Sequence, residues 1–314
     1  MDGYEHDPVW VEAQSFLPEG NRLTASTMPD EYVLTLPGAD VHIDHYRPAS
    51  PRARIVLFHG VGGNGRLLSF VAVPLMRHGF EVVCPDLPLY GHTRCEGIVT
   101  YDTWVTCGTR IVEHFQGVRG TGECSPPLFL FGLSAGGMLA YQVACACDGV
   151  AGLIVTCLLD QRDRVVAART ASSPLLGAVA RPLVSLLNVC AGRTELPMKL
   201  VSNMKAIAND EALVDLLMRD ETSSGARVPI AFLHAMLNPK IEVEPERFRA
   251  CPVLLVHPGD DRWTDVELSN RFYNRLACEK ETVVLDGAGH FPIEEPGLRR
   301  MEAACVAFIE RQLP

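Results

Sequence analysis

The chain has 314 residues, 38 acidic against 28 basic, for a net charge of −10, and 47% of it is hydrophobic. That balance is ordinary for a folded globular protein and too apolar for a disordered one. A net acidic chain also lacks the clustered cations on which nucleic-acid binding rests, and its length allows one large domain or two small ones.

The N-terminus, M-D-G-Y-E-H-D, is acidic and lacks the basic-then-apolar order of a signal peptide. Residues 31–36 and 41–46 alternate apolar with polar around Pro37-Gly38 and predict an antiparallel hairpin. Residues 54–59 (R-I-V-L-F-H) are almost continuously apolar, as in a strand covered on both faces. Residues 80–84, 128–131, 153–156, 253–256 and 282–285 repeat that character. Helix-length segments lie between them, at 66–77, 101–115, 138–147, 265–277 and 298–312. The alternation predicts an α/β protein built on a mostly parallel sheet.

One interval breaks the rhythm. From 158 to 250 no convincing buried strand is visible, only helical-looking stretches between Pro and Gly. The interval holds twelve basic and eleven acidic residues, a net +1, which leaves −11 on the remainder. It is too long for a connection. The expected plan is a core in two parts, 1–157 and 251–314, interrupted by a helical cap, 158–250.

Eleven scattered cysteines include no C-x-x-C pair, so neither a zinc ribbon nor a thioredoxin-type motif is readable. Several sit in apolar runs, as Cys84 does, where a free cysteine acts as a small hydrophobe. The pattern favours a reducing compartment and a soluble, cytoplasmic protein. The least charged stretch, 171–190, contains Arg181 and two prolines and makes a poor membrane span.

Gly132-Leu133-Ser134-Ala135-Gly136 fits G-x-S-x-G, between an apolar strand and a helical run. That is the setting of a nucleophile elbow, in which a serine sits on a tight turn and side chains at the glycines would collide with backbone. A simple serine-capped turn is the plainer alternative. His59-Gly60-Val61-Gly62-Gly63 follows another strand, and the amides of Val61 and Ala135 together make a candidate oxyanion hole. A hydroxyl nucleophile needs a base and an orienting acid. His290, in the loop G-A-G-H-F-P, offers the base. Asp261, in H-P-G-D-D-R, offers the acid, with Asp260 and Asp265 as alternatives.

These residues resemble the α/β-hydrolase superfamily, and the resemblance runs from Arg54 to the C-terminus. Its landmarks are H-G-V-G-G at 59–63, D-L-P-L-Y-G-H-T at 86–93, G-L-S-A-G at 132–136, H-P-G-D-D-R at 257–262 and G-A-G-H-F-P-I-E-E-P at 287–296. The resemblance implies an eight-stranded, mostly parallel sheet with helices on both faces and a cap between the sixth and seventh strands. It implies Ser134 as nucleophile, His290 as base and Asp261 as its partner, with no cofactor. The pattern is most similar to the lysophospholipase/monoacylglycerol-lipase-like esterases. Two departures stand out: Pro258 occupies a usual glycine position, and the 86–93 loop reaches its glycine late.

His59 reads as a loop holder and Asp86 as an acceptor for loop amides. His257, His92 and His114 share no metal-ligand spacing, so no catalytic metal is expected. Trp10, Trp104 and Trp263 are too dispersed for a nucleic-acid platform. The expected activity is hydrolysis of a small-molecule carboxylic ester of a lipophilic acid, favoured over charged metabolites, with the apolar run 173–187 lining an acyl pocket or packing cap on core. Carbon–carbon bond hydrolysis, thioester or peptide hydrolysis, acyl transfer and non-catalytic ligand binding use the same scaffold. A serine elbow disfavours dehalogenase and epoxide hydrolase chemistry, which attack with a carboxylate.

Overall fold

The computed structural model describes residues 3–117 and 125–314; Cys124 and the side chains of 174–178, within the apolar run, lie outside the described residues. The chain begins with helix α1 (Pro8–Ala13), then the strands β1 (Asp30–Leu36), β2 (Ala39–Tyr46) and β3 (Ala53–Phe58). Helix α2 (Ser69–Arg77), strand β4 (Phe80–Pro85), the short β5 (Arg94–Cys95) and helix α3 (Tyr101–Gly117) follow. Next come β6 (Leu128–Gly132), α4 (Ala135–Ala146) and β7 (Val150–Val155).

The interval 158–250 then contributes α5 (Arg164–Thr170), α6 (Pro174–Ala191), β8 (Glu195–Pro197), α7 (Glu211–Arg219), β9 (Arg227–Pro229) and α8 (Ile230–Leu237). The chain returns to the sheet with β10 (Val253–Pro258), α9 (Val266–Tyr273), β11 (Lys280–Leu285) and α10 (Gly297–Arg311).

The main sheet runs β1-β2-β4-β3-β6-β7-β10-β11. β1 and β2 form the expected antiparallel hairpin, and Gly38 takes the positive φ of +80° that its turn requires. β2 meets β4 antiparallel, and from β4 to β11 every pairing is parallel. All six residues of β3 are buried, as are all five of β6, which is why their sequences run apolar without alternation; the one charge, Arg54, is paired with Glu81 at 2.7 Å. Each fully buried Val, Leu, Ile or Phe there stabilises the fold by ~1.5–3 kcal/mol.

Three expectations need correction. Among the described residues the sheet has nine strands rather than eight, because β5 adds two residues against β2; so short a strand leaves no periodic signal. β11 is not a doubly covered strand but the sheet edge, with Leu285 its one buried residue. The interval 158–250 is not purely helical, since β8 and β9 pair antiparallel through Glu195–Pro229, Leu196–Val228 and Pro197–Arg227. Those two segments each span three residues and end in proline, which hides them from a pattern search.

Helix α8 packs against α6 and α3, and α7 lies against α1, so the interval is fastened to the sheet domain at several points. The N-terminal segment also carries more structure than its sequence announces. Tyr4 and Trp10 are buried, and the Arg66 guanidinium lies 5.1 Å from the Tyr4 ring centre and 5.8 Å from that of Trp10. No helix among the described residues is long and apolar enough to cross a membrane.

Candidate active site

Strand β6 ends at Gly132 and α4 begins at Ala135, which leaves two residues to reverse the chain. Ser134 takes φ +52° and ψ −123°, a conformation that L-residues rarely adopt and that neighbouring contacts must hold. Three bonds hold it. The Leu133 amide donates to the Phe58 carbonyl (2.9 Å), the Gly136 amide to Leu133 (2.8 Å), and the Ser134 amide to the Thr156 hydroxyl (2.9 Å). A β-carbon at 132 would fall 2.1 Å from the Gly136 carbonyl oxygen, and one at 136 would fall 2.5 Å from that of Phe58. Only glycine fits either position. Ser134 occupies the N-cap place of α4, yet its side chain makes no capping bond.

Its hydroxyl turns to His290 instead. Ser134 Oγ lies 2.7 Å from His290 Nε2, and His290 Nδ1 lies 2.7 Å from Asp261 Oδ2. With a carboxylate facing Nδ1, the ring proton resides there and Nε2 accepts from the serine hydroxyl. Asp261 is tied down by three further donors: the amides of Trp263 and Thr264 to Oδ1, and the Thr264 hydroxyl to Oδ2, each at 2.8 Å. Burial alone would raise the Asp261 carboxyl. The His290 ring and these hydrogen bonds outweigh burial and hold it below the usual carboxylate range. Of the three acids left open by the sequence, Asp261 is the one on the imidazole. Asp260 is exposed, and Asp265 pairs with Arg169 at 2.8 Å.

The His290 loop is fixed from both sides. The Gly289 amide donates to Glu294 Oε2 (2.9 Å) and the Phe291 amide to the Ile207 carbonyl (3.0 Å). The Trp263 ring packs on the imidazole with centroids 4.7 Å apart.

Val61 and Ala135 flank Ser134 in the same cavity wall. The Ala135 amide opens α4, where an N–H has no intrahelical acceptor and the helix dipole is positive. His59, just before the loop, is fully buried. Its Nδ1 donates to the Gly60 carbonyl (2.7 Å) and its Nε2 accepts from the Leu87 amide (2.8 Å). Burial lowers this histidine to about 4, so the ring is neutral and holds two loops together. Asp86 accepts from the Gly65 and His92 amides (2.7 and 2.8 Å) and from the Tyr4 hydroxyl (2.8 Å). It also lies 3.1 Å from His42 Nδ1.

A cavity of about 690 Å³ opens above Ser134 and His290. Its walls come from the sheet domain, including Val61 and Trp263, and from the interval 158–250, including Leu183, Val184 and Met236. The volume is in the range of small-molecule sites and the lining is mostly apolar.

The remaining sequence candidates lie apart. His257 is buried with Nδ1 donating to the Pro258 carbonyl, His92 packs on Tyr4, and His114 packs on Phe115. Trp104 donates to the Pro88 carbonyl and Trp10 covers Arg66, so the three tryptophans form no common surface. Sequence reasoning missed Thr156, Thr264 and Trp263, the residues that fix the serine amide, the acid and the imidazole. Their one signal is position: Thr156 directly follows β7, and the other two follow Asp261.

Sheet order, elbow and loop geometry together define an α/β-hydrolase fold. The chain matches the serine aminopeptidase, S33, family over residues 49–297 and belongs to that family of hydrolases. An uncharacterised abhydrolase domain-containing protein of Dictyostelium discoideum is 26% identical over 229 residues, covering 72% of this chain. The chain matches 22% of that relative's length. Among solved structures, a soluble variant of monoglyceride lipase from Saccharomyces cerevisiae, in complex with a substrate analogue, is similar with a TM-score of 0.74 and 19% identity, covering 93% of this chain and 98% of its own. The monoacylglycerol lipase of Paleococcus ferrophilus gives 0.66 and 20%, covering 86% and 99%. Est1E from Butyrivibrio proteoclasticus with bound ferulic acid gives 0.60 and 17%, covering 90% and 98%. At these identities the likeness to the three structures is one of fold.

Proposed function

We propose that the protein hydrolyses carboxylic esters of lipophilic character through an acyl-enzyme on Ser134. The observation that carries this reading is the unbroken chain Ser134–His290–Asp261, two contacts of 2.7 Å, at the floor of a largely apolar cavity of about 690 Å³.

In this mechanism Ser134 Oγ attacks the ester carbonyl carbon while His290 Nε2 takes the hydroxyl proton. The amides of Val61 and Ala135 hold the oxyanion, and Asp261 stabilises the imidazolium. The tetrahedral adduct collapses, the carbon–oxygen bond to the alcohol breaks, and His290 gives its proton to the departing alkoxide. A water then attacks the acyl carbon, losing its proton to His290; the second adduct collapses by breaking the bond to Ser134 Oγ, which takes the proton back from His290 as the acid is released. The interval 158–250 serves as a lid that supplies the acyl-binding wall.

The family description also raises peptide hydrolysis at a free N-terminus. No Asp or Glu lines the cavity among the described residues, so an α-ammonium group would enter it without a counter-charge. Esters fit better. The test is turnover of medium-chain p-nitrophenyl esters beside an amino-acid p-nitroanilide, with Ser134→Ala as control. Ester turnover that disappears in the variant supports the reading. Turnover retained in a folded Ser134→Ala protein, or a preference for the anilide, overturns it.

A further inference from the structure

Two cations interrupt the apolar lining. Arg164, exposed at the start of α5, and Arg181, half-buried in the middle of α6, both line the cavity. No Asp, Glu or Lys lines that cavity among the described residues, so nothing in its wall offsets their charge. Arg181 is the one charged residue between 171 and 190.

Neighbouring arginines are treated differently by the fold. Arg162 pairs with Asp160 and Glu244, Arg169 pairs with Asp265, and Asp163 is taken by Arg271. These pairs consume the nearby acids. Among the described residues, no carboxylate lies within ion-pair reach of Arg164 or Arg181. One Arg181 Nη2 hydrogen goes to the Gln161 carbonyl, while its Nε is buried without a hydrogen-bond partner. A partly desolvated guanidinium without a counter-ion is costly unless an anion pairs with it. The planar fork matches a carboxylate or phosphate, which accepts two parallel N–H bonds.

We propose that Arg164 and Arg181 form an anion subsite in the substrate cavity, so that the preferred ester carries a carboxylate or phosphate remote from the scissile bond. The proposal rests on the esterase reading of the same cavity. It narrows the substrate from a neutral lipid ester to an amphiphile with an apolar middle and an anionic end. Leu183, Val184, Leu187 and Met236 take the middle, and the two arginines take the end.

Calorimetric binding to Ser134→Ala tests the subsite without relying on turnover. Monomethyl suberate, anionic at one end, should bind at least about tenfold more tightly than dimethyl suberate. A parallel arm compares octanoyl lysophosphatidate with monooctanoylglycerol, which separates an anion on the alcohol side from one on the acyl side. Adding Arg181→Gln or Arg164→Gln should bring the preference down toward unity by weakening the anionic ligand far more than the neutral one. Arg181→Lys should keep part of it. Should Arg181→Gln fold poorly, Arg164→Gln carries the same comparison. A preference in either arm that the substitutions erase supports the subsite. No preference in both arms, or equal loss for charged and neutral ligands, overturns it. Turnover of dimethyl suberate by the unsubstituted protein reports the esterase reading separately.

Discussion

Gly60 sits directly against the elbow: a β-carbon on it would lie 2.8 Å from the Ser134 Cβ and 2.9 Å from the Leu133 carbonyl oxygen. The loop that carries Val61 is therefore registered to Ser134 by a missing side chain. Gly60→Ala must push that loop away and displace the Val61 amide from the position an oxyanion would take. We expect kcat to fall by about 10²-fold with KM little changed, since the donor acts on the transition state. Steady-state kinetics on a p-nitrophenyl ester check this, and an unchanged kcat would contradict the oxyanion role of Val61.

The choice among three adjacent acids is also open to direct test. Asp261→Asn removes the carboxylate beside His290 Nδ1 and favours the wrong tautomer, which should lower kcat by about 10⁴-fold. Asp260→Asn and Asp265→Asn alter an exposed side chain and a surface ion pair, and each should stay within about twofold of the unaltered protein. A large loss at Asp260 with a small one at Asp261 would reverse the assignment.

Stability should fall with rising pH through the network that fastens the N-terminal segment. Burial would lower His42, but the Asp86 and Glu31 carboxylates beside its two ring nitrogens prevail and raise it to about 10. An imidazole near 6.5 in the unfolded chain and about 10 in the folded one stabilises fully below pH 6.5. That contribution fades as pH climbs through about 10. Thermal melts from pH 7 to 10 should therefore fall more steeply for the unaltered protein than for His42→Gln. Parallel curves would show that His42 is not protonated in the fold.

Tyr4→Phe tests the same network from the chain end. The hydroxyl donates to Asp86 Oδ2 at 2.8 Å, and Asp86 in turn holds the Gly65 amide (2.7 Å), two residues past the loop that carries Val61. Removing the donor should cost about 1–3 kcal/mol of stability, as for a bond to a buried charge. Chemical denaturation measures the loss, and a change near zero would mean that Asp86 is satisfied without Tyr4.

The legible parts of this molecule are those where one local pattern has one structural consequence. β3 and β6 are apolar because both faces are covered, and the elbow needs glycine at 132 and 136 because backbone occupies the space. Other features depend on partners far away in sequence. Nothing near Tyr4 announces Asp86, 82 positions on, and the pairing of Glu195–Pro197 with Arg227–Pro229 joins segments too short to carry a period. Thr282–Leu285 has a buried strand's composition yet lies at the sheet edge, since composition does not reveal how many neighbours a strand will have. The sequence favoured Asp261 and left Asp260 and Asp265 as alternatives; only the fold separates them, with Asp261 Oδ2 on His290 Nδ1 and Asp260 turned to solvent. Arg181 was visible as a lone charge, but that no acid among the described residues pairs with it is a property of the fold.

The central claim is that Ser134 is an activated nucleophile. Labelling by a fluorophosphonate probe, followed by peptide mapping, tests it most directly. Rapid covalent modification confined to Ser134 is expected, greatly slowed in His290→Gln, whose side chain cannot take the hydroxyl proton. Absence of labelling at Ser134 in the folded protein, or labelling at an equal rate in His290→Gln, would contradict it.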